Sequence, residues 1–268
     1  AFVGLALLAV LAIPALYQPP GAIRDVDSFR FVLGDLLAVS NGQLPLGDFF
    51  PLYTSLLGLP IAPLITAFPE HTLWVVTGWL MLLQASTVAL AIALVVRSAG
   101  RRMALAVCLV VVLPLLRVNE LAWGGFSYFA IMPVRLLLPL ATLVVAARLL
   151  ASPRVDVRQR WNSFVALGAL AGLTFLNNPD FGGAALAAVL IAIAVTLTGR
   201  RAFLAVSLAL AGIALGVGAY LVVILLSGHS VALSSMTVFQ RLFAESGYFA
   251  VAMQHFGPHV PIVALFVT

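Results

Sequence analysis

The sequence predicts an all-α polytopic membrane protein, with about eight transmembrane helices and a large outer loop after the first of them, at about 20 residues per span. Three observations predict it. The 268 residues are 63% hydrophobic and 9% charged, with a mean hydropathy of +1.16, whereas a soluble domain is about 45–50% apolar and about 25% charged. The apolar residues form continuous runs rich in Leu, Ala and Val, which excludes the alternating strands of a transmembrane β-barrel. All 14 basic residues are arginines, and they gather mostly in short connectors between the runs. A net charge of +5 therefore reports membrane topology, with no nucleic-acid partner implied.

The runs fall in order at residues 2–17, 53–67, 72–96, 104–116, 129–150, 161–175, 183–197 and 202–226, with a further one opening near Val260. Ala1 and Thr268 both lie inside apolar runs, so the sequence is expected to be the N-terminal portion of a longer chain. No cleavage-site pattern before Tyr17-Gln18-Pro19-Pro20 suggests a signal peptide. Arg97, Arg101 and Arg102 form one connector; Arg148, Arg154, Arg158 and Arg160 a second; Arg200 and Arg201 a third. The positive-inside rule makes all three cytoplasmic and puts the loops at 117–128 and 177–181 outside. The parity closes only if residues 53–67 do not span. That run is short and holds Gly58, Pro60 and Pro63, so it reads as a helix lying in the outer interface or buried against the bundle. Residues 18–71 then form one outer loop.

On this topology eight of the nine acidic residues face outward: Asp25, Asp27, Asp35, Asp48, Glu70, Glu120, Asp180 and Glu245. Only Asp156 lies inside, and His71, His229, His255 and His259 are all outer. The first loop reads Arg24-Asp25-Val26-Asp27-Ser28-Phe29-Arg30-Phe31, then Gly34-Asp35, then Gly47-Asp48-Phe49-Phe50-Pro51-Leu52-Tyr53. The spacing of Asp27, Phe31, Gly34 and Asp35 fits a short helix with Phe31, Val32 and Leu36 on the membrane. Two carboxylates in its lead-in can share a divalent cation or flank one hydroxyl, and their repulsion favours a general base. The plain alternative is a helix N-cap with acids in the first turn.

The order of first span, acidic pair, short amphipathic helix, Gly-Asp-Phe-Phe-Pro-Leu-Tyr and Pro-broken segment resembles the GT-C superfamily of membrane glycosyltransferases. That superfamily includes protein O-mannosyltransferases, aminoarabinose transferases and actinobacterial arabinofuranosyltransferases. The likeness in element order covers most of the chain, and its motifs fill residues 24–63. The pair here is Asp-x-Asp where the mannosyltransferases carry Asp-Glu, which leaves open both the acting carboxylate and the use of a metal. A long outer loop at 227–259, holding Arg241 and Glu245, stands where the family has a mobile lid.

The resemblance implies one GT-C-like transmembrane domain over 1–268, in the plasma membrane with its site on the outer, periplasmic side. It implies transfer of a sugar from a polyprenyl-phosphate carrier to a glycan or protein acceptor. Arabinofuranose or mannose is the sugar suggested by the Arg-only, Ala/Val/Leu-rich usage of a high-GC genome. Asp27 is then the base, or Asp25, with a divalent cation at the pair left open. Arg24, Arg30, Arg117 and Arg241 are the phosphate ligands, through paired guanidinium donors. Asp48, Glu120, Asp180, Asn178 and Tyr53 are the remaining substrate-binding candidates. Plainer roles stand beside these: Arg135 snorkelling to outer headgroups, Arg117–Glu120 as an ion pair, and Asp180 as a turn and helix cap. Trp74, Trp79, Trp123 and Trp161 read as interfacial anchors. The histidines lack the compact spacing of a zinc site. The rival classes are a transporter or lipid flippase, which places ionisable groups near span centres, and a non-catalytic envelope-assembly subunit.

Overall fold

The computed structural model describes residues 26–49, 51, 56–117, 125–151 and 156–231, with backbone alone at 26–31, 98–117 and 125–132. These lie in one compact unit, residues 1–231; a second comprises 232–268. Among the described residues seven α-helices follow one another: α1 Val26–Ser40, α2 Ala62–Ala67, α3 Thr72–Arg117, α4 Gly125–Leu150, α5 Trp161–Asn177, α6 Pro179–Thr196 and α7 Gly199–Leu226. Four stretches are long and apolar enough to cross a bilayer: Pro69–Arg97, Pro133–Leu150, Pro179–Thr196 and Gly199–Leu226. The chain is an all-α protein suited to a membrane. Its outward side chains agree: Ile191, Val195, Phe203, Leu215 and Leu226 are exposed, where lipid and not water is the fitting solvent.

The direction of each helix follows from its contacts. In α3 and α4, Trp79 and Val134 belong to one buried cluster, while the Arg97 Nε donates to Ala147 O at 3.1 Å. The first part of α3 therefore runs parallel to α4. The Asn177 Nδ2 donates to Val134 O at 2.9 Å, and Leu149, Leu150, Val157 and Phe164 share the other cluster, so α5 runs back. Asn178 then caps α6, its Oδ1 accepting from Phe181 N–H, with Pro179 at the first helical position. Gly199, at φ +56, turns the chain into α7.

α5 and α7 run parallel and touch backbone to backbone. A Cβ at Gly172 would lie 2.8 Å from Ile213 O, and one at Gly216 2.5 Å from Ala169 O; at Gly168 and Gly212 it would meet the carbonyls of Ala209 and Val165. Small residues four apart on both helices permit this approach, which lipid-exposed helices use in place of a hydrophobic driving force. The Thr142 and Thr174 hydroxyls, hydrogen bonded at 2.9 Å, tie α4 to α5 in the buried interior. One end of the bundle thus carries Arg97, Arg148, Arg158, Arg160, Arg200 and Arg201, and the other carries Asn177, Asp180 and the end of α7.

Several expectations are corrected. Residues 97–102 are not a connector, since α3 stays helical from Thr72 to Arg117, 46 residues; nothing there interrupts the backbone ladder, and apolar surroundings favour keeping it. The expected loop at 177–181 shrinks to Asn178 alone. The apolar side of α1 does not lie on the membrane: Val32 and Leu36 are fully buried with Leu57, Ile61, Val76, Leu80 and Val134. Of the two placements expected for residues 53–67, the described part takes the buried one: the six-residue α2 carries Ile65 into that same cluster.

Replacing Gly212 by Val is expected to lower unfolding stability by about 2–3 kcal/mol, since backbone must move on both helices. Gly218→Ala, where no atom lies within 4 Å, is expected to raise it by up to about 1 kcal/mol. Thermal unfolding of the detergent-solubilised protein checks both.

Candidate functional site

The polar groups of the segment before α3 meet the bundle at the end opposite the arginines. The first anchor is Asn177, 2% exposed at the last position of α5. Its Oδ1 accepts from Leu56 N–H at 3.1 Å while its Nδ2 donates to Val134 O at 2.9 Å. One buried amide thereby satisfies a donor from the α1–α2 linker and the Val134 carbonyl of α4. Next to it in sequence, Leu57 O accepts from the Trp79 Nε1 at 3.0 Å. Trp79 is thus corrected from an interfacial anchor to an internal strut, half-buried against the same cluster.

The second anchor is the turn after α1. Leu46, at φ 65, occupies the left-handed region and exchanges an N–H for Phe49 O at 2.8 Å. Asp48 closes the turn: its Oδ2 accepts from Leu44 N–H at 2.7 Å and its Oδ1 lies 2.8 Å from His229 Nδ1. The Tyr220 hydroxyl donates to Pro45 O at 2.8 Å from within α7. Gly47 packs closely here: a Cβ would come within 3.1 Å of the Ile224 side chain and 3.3 Å of His229, so one of these side chains would have to shift. Two residues of the Gly47-Asp48 motif therefore seat the loop on the end of α7, and both Asp48 oxygens are engaged within the protein.

The third element is the α5–α6 corner. Arg135 NH2 lies 3.4 Å from Asp180 Oδ2, and its guanidinium sits 4.7 Å from the Phe181 ring centre. Arg135 is corrected from a snorkelling side chain to one held by a carboxylate and an aromatic face. Asp180 is corrected from cap to partner; Asn178, 3% exposed, is the cap. That capping bond accounts for the Asn178 side-chain oxygen without a substrate.

No family model, curated protein or solved structure matches this chain. The site therefore rests on its own geometry. Asp27 lies in the first turn of α1 and not in a non-helical lead-in. Thirteen residues separate it from Ser40, about 20 Å along the axis, which puts the Asp48 turn at the far end of α1 from it. Of Asp27, Arg30 and Arg117 the structure describes the helical backbone. Asp25, Arg24, Arg241, Glu120 and Tyr53 lie outside the described residues, as do the loop at 232–259 and the first span. Among the described residues no three of His, Cys, Asp and Glu come together as a metal set.

Sequence reasoning missed the Asp48–His229 pair, which joins positions far apart in the chain, and the role of Tyr220. A phenol inside an apolar helix was the available signal, because a buried Tyr hydroxyl finds a partner.

Asn177→Leu is expected to destabilise the protein by about 1–3 kcal/mol, since it strands the Leu56 N–H and removes the bond to Val134 O. His229→Ala is expected to speed hydrogen exchange at the Leu44 and Asp48 amides while exchange in α5 stays unchanged; an exposed pair of this kind is worth at most about 1 kcal/mol, so its loss is local. Mass-spectrometric exchange in detergent reads both effects.

Proposed function

We propose that this chain is a membrane glycosyltransferase of GT-C type, taking a sugar from a polyprenyl-phosphate carrier on the outer face of the plasma membrane. The observation that carries the reading is the anchoring of the segment 26–71. Asn177, Trp79 and Tyr220 fasten it from three helices, and His229 from just past the end of α7, to the bundle end opposite the arginines. A segment so held is a built part of the fold, as a catalytic loop must be to hold a carboxylate in place. By the positive-inside rule the arginine-bearing end faces the cytoplasm, and the anchored segment faces out.

In this reading the acceptor oxygen attacks the anomeric carbon while the bond from that carbon to the carrier phosphate breaks. Asp27, or Asp25 beside it, takes the acceptor proton, and polyprenyl phosphate leaves with the electron pair. Arg24, Arg30, Arg117 and Arg241 are the candidates for holding that phosphate by paired donors. The sugar proposed is arabinofuranose or mannose, and the acceptor a cell-envelope glycan or a protein. The Asp48–His229 clasp and the Arg135–Asp180 pair act in support, fixing the loop end of α1 and the α5–α6 corner on the bundle. Little ionisable chemistry sits at mid-helix among the described side chains, which disfavours a transporter.

Asp27→Asn is expected to lower transfer from a radiolabelled polyprenyl-phosphoryl sugar by about 100-fold or more, the usual worth of a positioned base. Unchanged unfolding temperature makes that loss chemical. Equal transfer by Asp27→Asn and Asp25→Asn variants and the parent chain sinks the assignment.

A further inference from the structure

The arginine-bearing end holds a groove that the proposed transfer does not use. It encloses about 460 Å³ and is lined by Arg158, Trp161, Arg200, Phe203, Leu204 and Leu208. Two guanidinium groups stand over apolar walls, and Trp161 and Phe203 are 53% and 76% exposed. Among the described residues neither arginine has a carboxylate partner. Asp156, the acidic residue nearest in sequence, turns its Oδ1 to the backbone N–H groups of Arg158 and Gln159. Because α5 and α7 are parallel, both helices also begin here, at Trp161 and Gly199, and neither start carries a side-chain cap. The helix dipoles at these starts add partial positive charge to that of the arginines.

We infer that this groove binds the phosphate headgroup of an anionic phospholipid, with an acyl chain laid along Trp161, Phe203, Leu204 and Leu208. Charge complementarity selects the occupant: paired guanidinium donors and two helix starts favour a phosphate, and the apolar wall continuing down α7 favours a ligand with a hydrocarbon tail. Basic recesses between membrane helices on the positive side recognise anionic headgroups in this way. The inference is independent of the glycosyl-transfer reading and requires only that the helices stand in a bilayer.

The test uses the purified full chain in neutral detergent, with dioleoyl phosphatidylglycerol and dioleoyl phosphatidylcholine as probes and native mass spectrometry as the readout. Phosphatidylglycerol is expected to be retained and phosphatidylcholine lost. The R158Q/R200Q pair is expected to weaken phosphatidylglycerol retention roughly tenfold or more. The R160Q/R201Q pair removes the same charge outside the groove and is expected to retain the lipid. All four arginines are exposed, so the unfolding temperature is expected to hold and to show that each variant folds. Equal weakening by the two pairs overturns the groove in favour of diffuse attraction. Retention of phosphatidylcholine overturns the charge selection, and displacement of the lipid by equimolar inorganic phosphate overturns the need for a tail.

Discussion

The backbone contact between α5 and α7 is the constraint on which the rest depends. Gly168, Gly172, Gly212 and Gly216 let two parallel helices approach closer than any side chain would allow. In lipid no hydrophobic gain draws helices together, so packing of this closeness supplies the association. With α5 and α7 parallel, α6 runs antiparallel to both, and both of their starts fall at the arginine end. Their finishes, Asn177 and the Tyr220–His229 stretch, fall together at the other. The glycines thus decide which polar residues are available to receive the outer segment.

That segment is held by groups whose own chemistry needs a partner. Asn177 and Tyr220 sit in apolar helices, where an unpaired amide or hydroxyl is costly. Tyr220 is satisfied by the loop backbone at Pro45, and Asn177 by the loop at Leu56 together with Val134 of α4. The cost of burying these groups is thereby turned into register, because Leu56 and Pro45 can bond them in only one placement. The Asp48–His229 pair adds little energy at the exposed rim, yet it closes the turn that Gly47 allows to approach α7. The loop is thus held by polar groups buried in the helices beneath it.

The arginines have a second consequence. Membrane insertion places them at one end, but the same parallel packing groups Arg158 and Arg200 around a groove with two uncapped helix starts. Sorting by charge and packing by glycine are separate pressures, and only together do they make a recess fitted to an anionic headgroup.

Much of this was legible in the sequence because lipid imposes a one-dimensional rule. A helix that must satisfy its backbone and face hydrocarbon announces itself by length and composition, and connectors announce themselves by arginine. The non-spanning segment at 53–67 was readable for the same reason, from Gly58, Pro60 and Pro63. The break assumed at Arg97–Arg102 misled because charge marks where a chain meets water and does not by itself stop a helix. The outward apolar side assigned to α1 misled because Val32 and Leu36 are equally suited to lipid and to a protein interior. The meeting of Asn177 with Leu56, of Tyr220 with Pro45 and of Asp48 with His229 joins residues far apart in the chain. No local pattern encodes such pairs; they exist only where helix direction and close packing bring the ends together. Composition alone determined a membrane-suited helical chain and its charge asymmetry, while the tertiary structure decided which polar groups touch, because hydrophobicity selects a solvent and only steric fit selects a neighbour.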